Sequence, residues 1–199
     1  MVKQARAART RQLLLEAAAE SFVQHGYTGA SLPVISGRAG VSAGALHFHF
    51  PSKADLAAAV EDSAALRVRA LTARGPSAGG GPLATLVTAI RELAAALRDE
   101  PVLRAGFTLG GDPARVGRAP ALDAWHAWVR ETAGRARLAG ELADGVTPES
   151  VAGAVLAATV GGEVVGGRDR ELVAPEHLLE FWTGLLPVMA SGAAIRSSS

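Results

Sequence analysis

An all-α fold is what two features of this sequence of 199 residues predict. Hydrophobic residues make up 49% but aromatics only 5%, so alanine and leucine, the strongest helix formers, dominate the apolar content. Apolar and small residues also recur at the spacing of one helical face in stretch after stretch, with glycine and proline falling between the stretches. The hydrophobic share, set against 20% charged residues, suffices for a real core in one domain of ordinary size or two small ones.

The elements follow in order. From Thr10 to His25 one face carries Leu14, Ala17, Ala18, Ser21 and Phe22, and Gly26 stops that helix. Ser31 is placed to cap a second helix running through Val34 and Ile35 to about Ala39, with Pro33 tolerated in its first turn. Gly40 supplies the turn, and Ser42 caps a third helix from Ala43 to about His47, leaving its orphan N–H groups facing outward. Pro51 ends that region, and "SKAD" at Ser52 to Asp55 reads as a capping box opening a fourth helix that reaches about Arg74.

"GPSAGGGP" at 75–82 is a loop, without the Lys-Ser/Thr pair of a phosphate-binding loop. Leu83 to Arg98 is an amphipathic helix, followed by a shorter one from about Pro101 to Leu109 and an irregular stretch, "GGDPARVGRAP", to Pro120. Ala121 to Ala143 is helical, with Trp125, Trp128 and Thr132 on one face. Two last helices, Pro148 to about Val165 and Pro175 to about Ser191, have wide apolar faces rich in small residues, which buried or partner-sharing helices have.

Absent residue types exclude several classes. With no cysteine there are no disulfides or thiolate metal sites. "MVKQARAARTRQ" is cationic without an apolar run behind it, and the longest apolar segment, Val151 to Val165, is interrupted by Glu163 and too short for a bilayer. These features predict a soluble cytoplasmic protein with no membrane partner. His47 and His49 form an H-x-H pair that no third histidine or nearby carboxylate completes, so neither a metal nor a cofactor is expected. Ser42 and His47 share one short helix at a spacing that capping explains, and no nucleophile stands with its base, so no enzyme is expected.

Charge is unevenly distributed. Residues 1–53 hold six basic and two acidic side chains, a balance of +4, whereas the rest hold 14 basic and 17 acidic, a balance of −3. A basic first quarter on an acidic body suggests that the first quarter meets a polyanion. Ser31 to Phe50 has the grammar that would do so: a capped helix, a glycine turn and a second capped helix of small residues, which is a helix-turn-helix. Gly44 and Ala45 let the backbone approach a phosphate, and the start of the helix adds N–H donors behind Ser42. Lys3, Arg6, Arg9 and Arg11 read either as a solvated face or, beside this motif, as an arm following the phosphates or dipping into the minor groove.

"SLPVISGRAGVSAGALHFHFPSKADLAAAV" resembles the N-terminal signature of TetR-type transcriptional repressors, and "GALHFHFPSK" is closest to their γ-butyrolactone receptor branch in actinomycetes. "PVLRAGFTLGGD", "GGEVVGG" and "LLEFWTGLLPV" are similar to the same branch, so the likeness covers nearly the whole chain. Two residues depart from it: Ala43 stands where the family usually has lysine and His47 where it has tyrosine, both commonly against the DNA backbone. A missing lysine weakens binding and its salt dependence together, while histidine still donates to a phosphate. Ser31, His49 and Lys53 complete the expected DNA-facing set.

The resemblance implies a three-helix DNA-binding domain at 1–54 and a larger ligand-binding and dimerisation domain at 55–199, with the fourth helix as lever between them. It implies a homodimer through the last two helices on a pseudo-palindromic double-stranded operator. The signal would be a small hydrophobic γ-butyrolactone, furan or butenolide that releases the repressor from antibiotic or secondary-metabolite genes, or alternatively an antibiotic or biosynthetic intermediate. Trp125 matches the tryptophan that lines the family's ligand cavity, and Leu86, Ile90, Phe107 and Leu109 are expected beside it, with Val160 and Val164. Trp128 reads as core or cavity wall, and Phe48 and Phe50 as core. Glu163 is open to three readings: a buried partner for an arginine, a surface residue or a polar ligand contact.

Overall fold

The computed structural model describes residues 2–73, 80–115 and 117–166. Their regular elements are all helical: α1 (Val2–Gly29), α2 (Leu32–Arg38), α3 (Ala43–His49), α4 (Lys53–Thr72), α5 (Pro82–Asp99), α6 (Pro101–Gly110), α7 (Pro120–Leu138) and α8 (Pro148–Gly166), with a 3-10 turn at Pro113–Arg115. The expected loop at 75–82 lies mostly outside the described residues, as does the helix expected from Pro175 to Ser191. None of the helices searched is long and apolar enough to cross a membrane.

Several expected boundaries move. α1 starts at Val2 rather than Thr10, because the alanines and arginines ahead of Thr10 favour helix and nothing there breaks it. Gly26 does interrupt α1, at φ 66 and ψ 179, but a last turn continues to Gly29. α3 extends two residues past the expected His47 to His49, and Phe50 closes it by donating its N–H to the Leu46 carbonyl. α7 stops at Leu138 instead of Ala143, since Gly140 takes φ 71 and turns the chain out of the helix.

By its internal packing the chain divides into two compact units, one of Met1–Arg67 with Leu97–Ala121 and one of Val68–Ala96 with Leu122–Ser199. In the first, Leu14, Ala18 and Phe22 of α1 meet Ile35, Leu46, Phe50, Leu56 and Val60 of the following helices. Val102, Ala105 and Leu109 of α6 close the same core from above 40 residues further along the sequence. α6 approaches α4 so tightly that a Cβ at Gly106 would lie 2.2 Å from the Cβ of Ala64, so only glycine fits there. Within the second unit, Leu83, Leu86 and Leu93 of α5, Trp125 and Val129 of α7, and Val151 and Val155 of α8 are buried.

Among the described residues one charge is fully buried. Glu61 of α4 is 0% exposed and receives Arg115, through both Nε at 3.4 Å and Nη2, together with Nε of Arg118 at 3.2 Å. A buried carboxylate is tolerated only with such partners. Burial works against the charge on Arg115, yet the hydrogen bond and charge of Glu61, with Tyr27, hold its guanidinium above the ordinary arginine range.

Candidate nucleic-acid interface and signal site

α3 presents its faces by simple phase. Leu46 and Phe50, four residues apart, enter the core, which turns Ala43, Gly44, His47 and Phe48 outward. Phe48 is 82% exposed, which corrects the expectation that it packs inside beside Phe50. Its ring meets His49 edge to face at 5.3 Å. The signal was in the sequence: if Leu46 and Phe50 share the buried face of a helix, residue 48 is about 200° from Leu46 and must leave it.

The start of α3 is built as expected. Ser42 accepts from the Ala45 N–H at 3.2 Å, leaving the other early N–H groups of the helix for an outside acceptor. Ala45 is half-buried, and among the described residues a Cβ on Gly44 would meet nothing closer than the Ser42 hydroxyl at 4.0 Å. The protein's own packing therefore does not require glycine there, and its smallness serves whatever approaches from outside. Ser31, in contrast, precedes α2 without a side-chain cap.

The basic residues divide by what they touch. Arg6, Arg9 and Arg11 are exposed along α1, so the expected arm is helical, and Arg11 lies 5.2 Å over the ring of Phe50 at the end of α3. Arg38 is tied to Glu20 and Gln24 of α1. Lys53 is engaged inside the protein, donating to the carbonyls of Thr28 at 3.2 Å and Ala30 at 3.1 Å while sitting 4.8 Å over the Tyr27 ring.

The expected signal residues fall in both units. Leu86 and Ile90 of α5, Trp125 and Trp128 of α7, and Val160 of α8 belong to the second; the Val164 side chain lies outside the described residues. Trp125 is 0% exposed and stacks on Trp128, centroids 5.5 Å apart and planes at 15°. Its Nε1–H has no acceptor among the described residues. Phe107 and Leu109 are buried in the first unit, where Leu109 joins the core of α1 and α2.

The tetR family of bacterial regulatory proteins matches residues 14–60, which run from α1 to the middle of α4. The A-factor receptor protein of Streptomyces griseus is 32% identical over 199 residues, 98% of this chain and 69% of the relative. The chain belongs to the tetR family. Among solved structures, this TetR-family chain is similar to CprB from Streptomyces coelicolor in complex with its operator, at a TM-score of 0.81 and 30% identity over 96% of this chain and 94% of CprB. A γ-butyrolactone receptor described as ArpA-like gives a TM-score of 0.78 and 28% identity, covering 96% of this chain and 92% of the receptor. These relatives are regulators and receptors, and the TetR-family protein described here is a transcriptional regulator rather than an enzyme.

Proposed function

We propose that this regulator is a dimeric repressor that leaves its operator when a small hydrophobic signal, a γ-butyrolactone or a related furan or butenolide, enters the second unit. The observation that carries the reading is Trp125: an indole at 0% exposure, stacked on a second indole, whose N–H has no acceptor among the described residues. A buried donor left unpaired costs free energy that an acceptor on a ligand recovers, and the stacked pair offers an apolar wall. A lactone carbonyl with an acyl tail answers both needs. Leu86, Ile90, Val160 and Val164 are the further wall residues in this reading.

In the first unit, residues 1–54 contact DNA. The N-terminus of α3 meets a phosphate over Gly44 and Ala45; Ala43, His47, His49 and Phe48 face the duplex, and Arg6, Arg9 and Arg11 follow the backbone beside them. α8 and the chain after it pair with their copies, so two reading helices address half-sites about 34–36 Å apart or a multiple of it. The exposed small residues Gly153, Ala154, Ala157 and Gly161 of α8 support that pairing, because they let another helix come close. Such a protein works in the cytoplasm at the nucleoid, on genes for antibiotic or secondary metabolism.

The signal releases DNA only by its differential affinity for the two states of the dimer. The test is to select bound duplexes from a random pool and then titrate γ-butyrolactones into the selected complex in a gel shift. Release at micromolar lactone is expected; a complex that survives saturating lactone sinks the reading.

A further inference from the structure

Tyr27, the one tyrosine of the chain, sits where three parts of the first unit meet. Because Gly26 breaks the helix at φ 66, the Tyr27 N–H is turned out of α1 and donates to Oδ2 of Asp112 at 2.9 Å. The other carboxylate oxygen of Asp112 accepts from Ala114 N–H, also at 2.9 Å, and so opens the Pro113–Arg115 turn. Two cations lie over the Tyr27 ring: Lys53 at 4.8 Å and Arg115 at 5.0 Å. Arg115 in turn is held by buried Glu61, which Arg118 also pairs, while Arg118 reaches on to Asp62.

Lys53 gives this cluster its meaning. The reading motif begins after Ala30 and ends at Phe50, and Lys53 at the head of α4 donates to the carbonyls of Thr28 and Ala30 at the tail of α1. One ammonium thus ties together the two ends of the chain segment that carries α2 and α3. The tyrosine beneath that ammonium is held by Asp112 at its backbone N–H and by Arg115 on its ring. Of these side chains only Lys53 stands in the expected DNA-facing set, and its ammonium is engaged on the carbonyls of Thr28 and Ala30.

We propose that Arg115 is a positioning residue for DNA reading: lying on Tyr27 and paired with Glu61, it keeps the Lys53 tie closed and so holds α3 in its reading position. Arg115 and Arg118 come shortly before α7 in the sequence, the helix that carries Trp125, so the same clasp is where a signal at Trp125 would be felt by the head through the continuous chain. This last step rests on the function proposed above. The clasp itself does not.

The experiment uses full-length protein without DNA and reads amide hydrogen exchange over residues 43–56 in Arg115→Met, Tyr27→Leu and Tyr27→Phe. Arg118 remains on Glu61 in the first variant, so the buried carboxylate keeps a cation. Arg115→Met and Tyr27→Leu should exchange about tenfold faster there, with 83–98 unchanged, and Tyr27→Phe, which keeps the aromatic face, should stay within about twofold of wild type. Affinity for the selected operator should fall about tenfold in the first two variants only. Wild-type exchange at 43–56 in Arg115→Met overturns the proposal; so does faster exchange along the whole chain, which would make the residue merely structural, or a Tyr27→Phe variant that behaves like Tyr27→Leu. If the wild-type protein selects no duplex, the proposed function falls while exchange still judges the clasp.

Discussion

Ser31 and Ser42 each stand before a short helix, yet only Ser42 has its hydroxyl on a backbone N–H, that of Ala45. Ser42→Ala is expected to lower stability by about 1 kcal/mol, and Ser31→Ala by less than about 0.5 kcal/mol, both measured by urea denaturation. Equal losses would contradict the cap. Ala43, exposed at the first position of α3, allows a second test. Ala43→Lys should tighten operator binding and steepen the slope of log K against log salt by about two for a dimer, roughly 0.9 per added phosphate contact on each head. A slope unchanged from wild type would mean that this position does not face a phosphate. At this scale the sequence is an uneven guide. A serine before a helix announces a cap whether or not geometry completes it, and "HFHF" looks like core until the phase of Leu46 and Phe50 turns Phe48 outward.

Elements were legible where their stop signals are strong. α2, α5, α6 and α8 lie within two residues of the expected bounds because proline opens or glycine closes each of them. The start of α1 was not, since helix propensity among its alanines and arginines changes gradually, and the end of α7 was not because a single glycine such as Gly140, set in an otherwise helical run, can be carried through a helix as well as stop it. The contact between α4 and α6 was also hidden, because nothing in "PVLRAGFTLG" says that Gly106 meets Ala64. That contact makes a sharp prediction: Gly106→Ala gains helix propensity but forces two Cβ atoms together, and should cost about 1–3 kcal/mol in thermal or chemical denaturation. A stabilised variant would show that α4 and α6 are not in such contact. Buried Glu61 was hidden for the same reason, its two arginines lying more than 50 residues away in sequence.

For the whole molecule, the open face of α8 decides the expected assembly. Among the described residues nothing lies within 4 Å of where Gly153 or Gly161 would carry a Cβ, so Gly153→Leu should leave the protomer folded. If α8 packs on its copy, that leucine overfills the contact and weakens the dimer about tenfold or more, read by sedimentation equilibrium. A dimer constant equal to wild type would remove α8 from the interface. The family and the reading motif were legible in the sequence because their signals lie within 30 residues, Ser31 to Val60. The division into units was not, because residues 97–121 join the first 67 across an intervening stretch that belongs elsewhere. That detour also sets an order in time. During translation, Leu14 and Phe22 must wait for Val102 and Leu109, roughly 4–18 s at about 5–20 residues per second, and Glu61 for Arg115, roughly 3–11 s. Until then the nascent head carries an unfinished apolar surface and an uncompensated carboxylate, which is when a chaperone would find it.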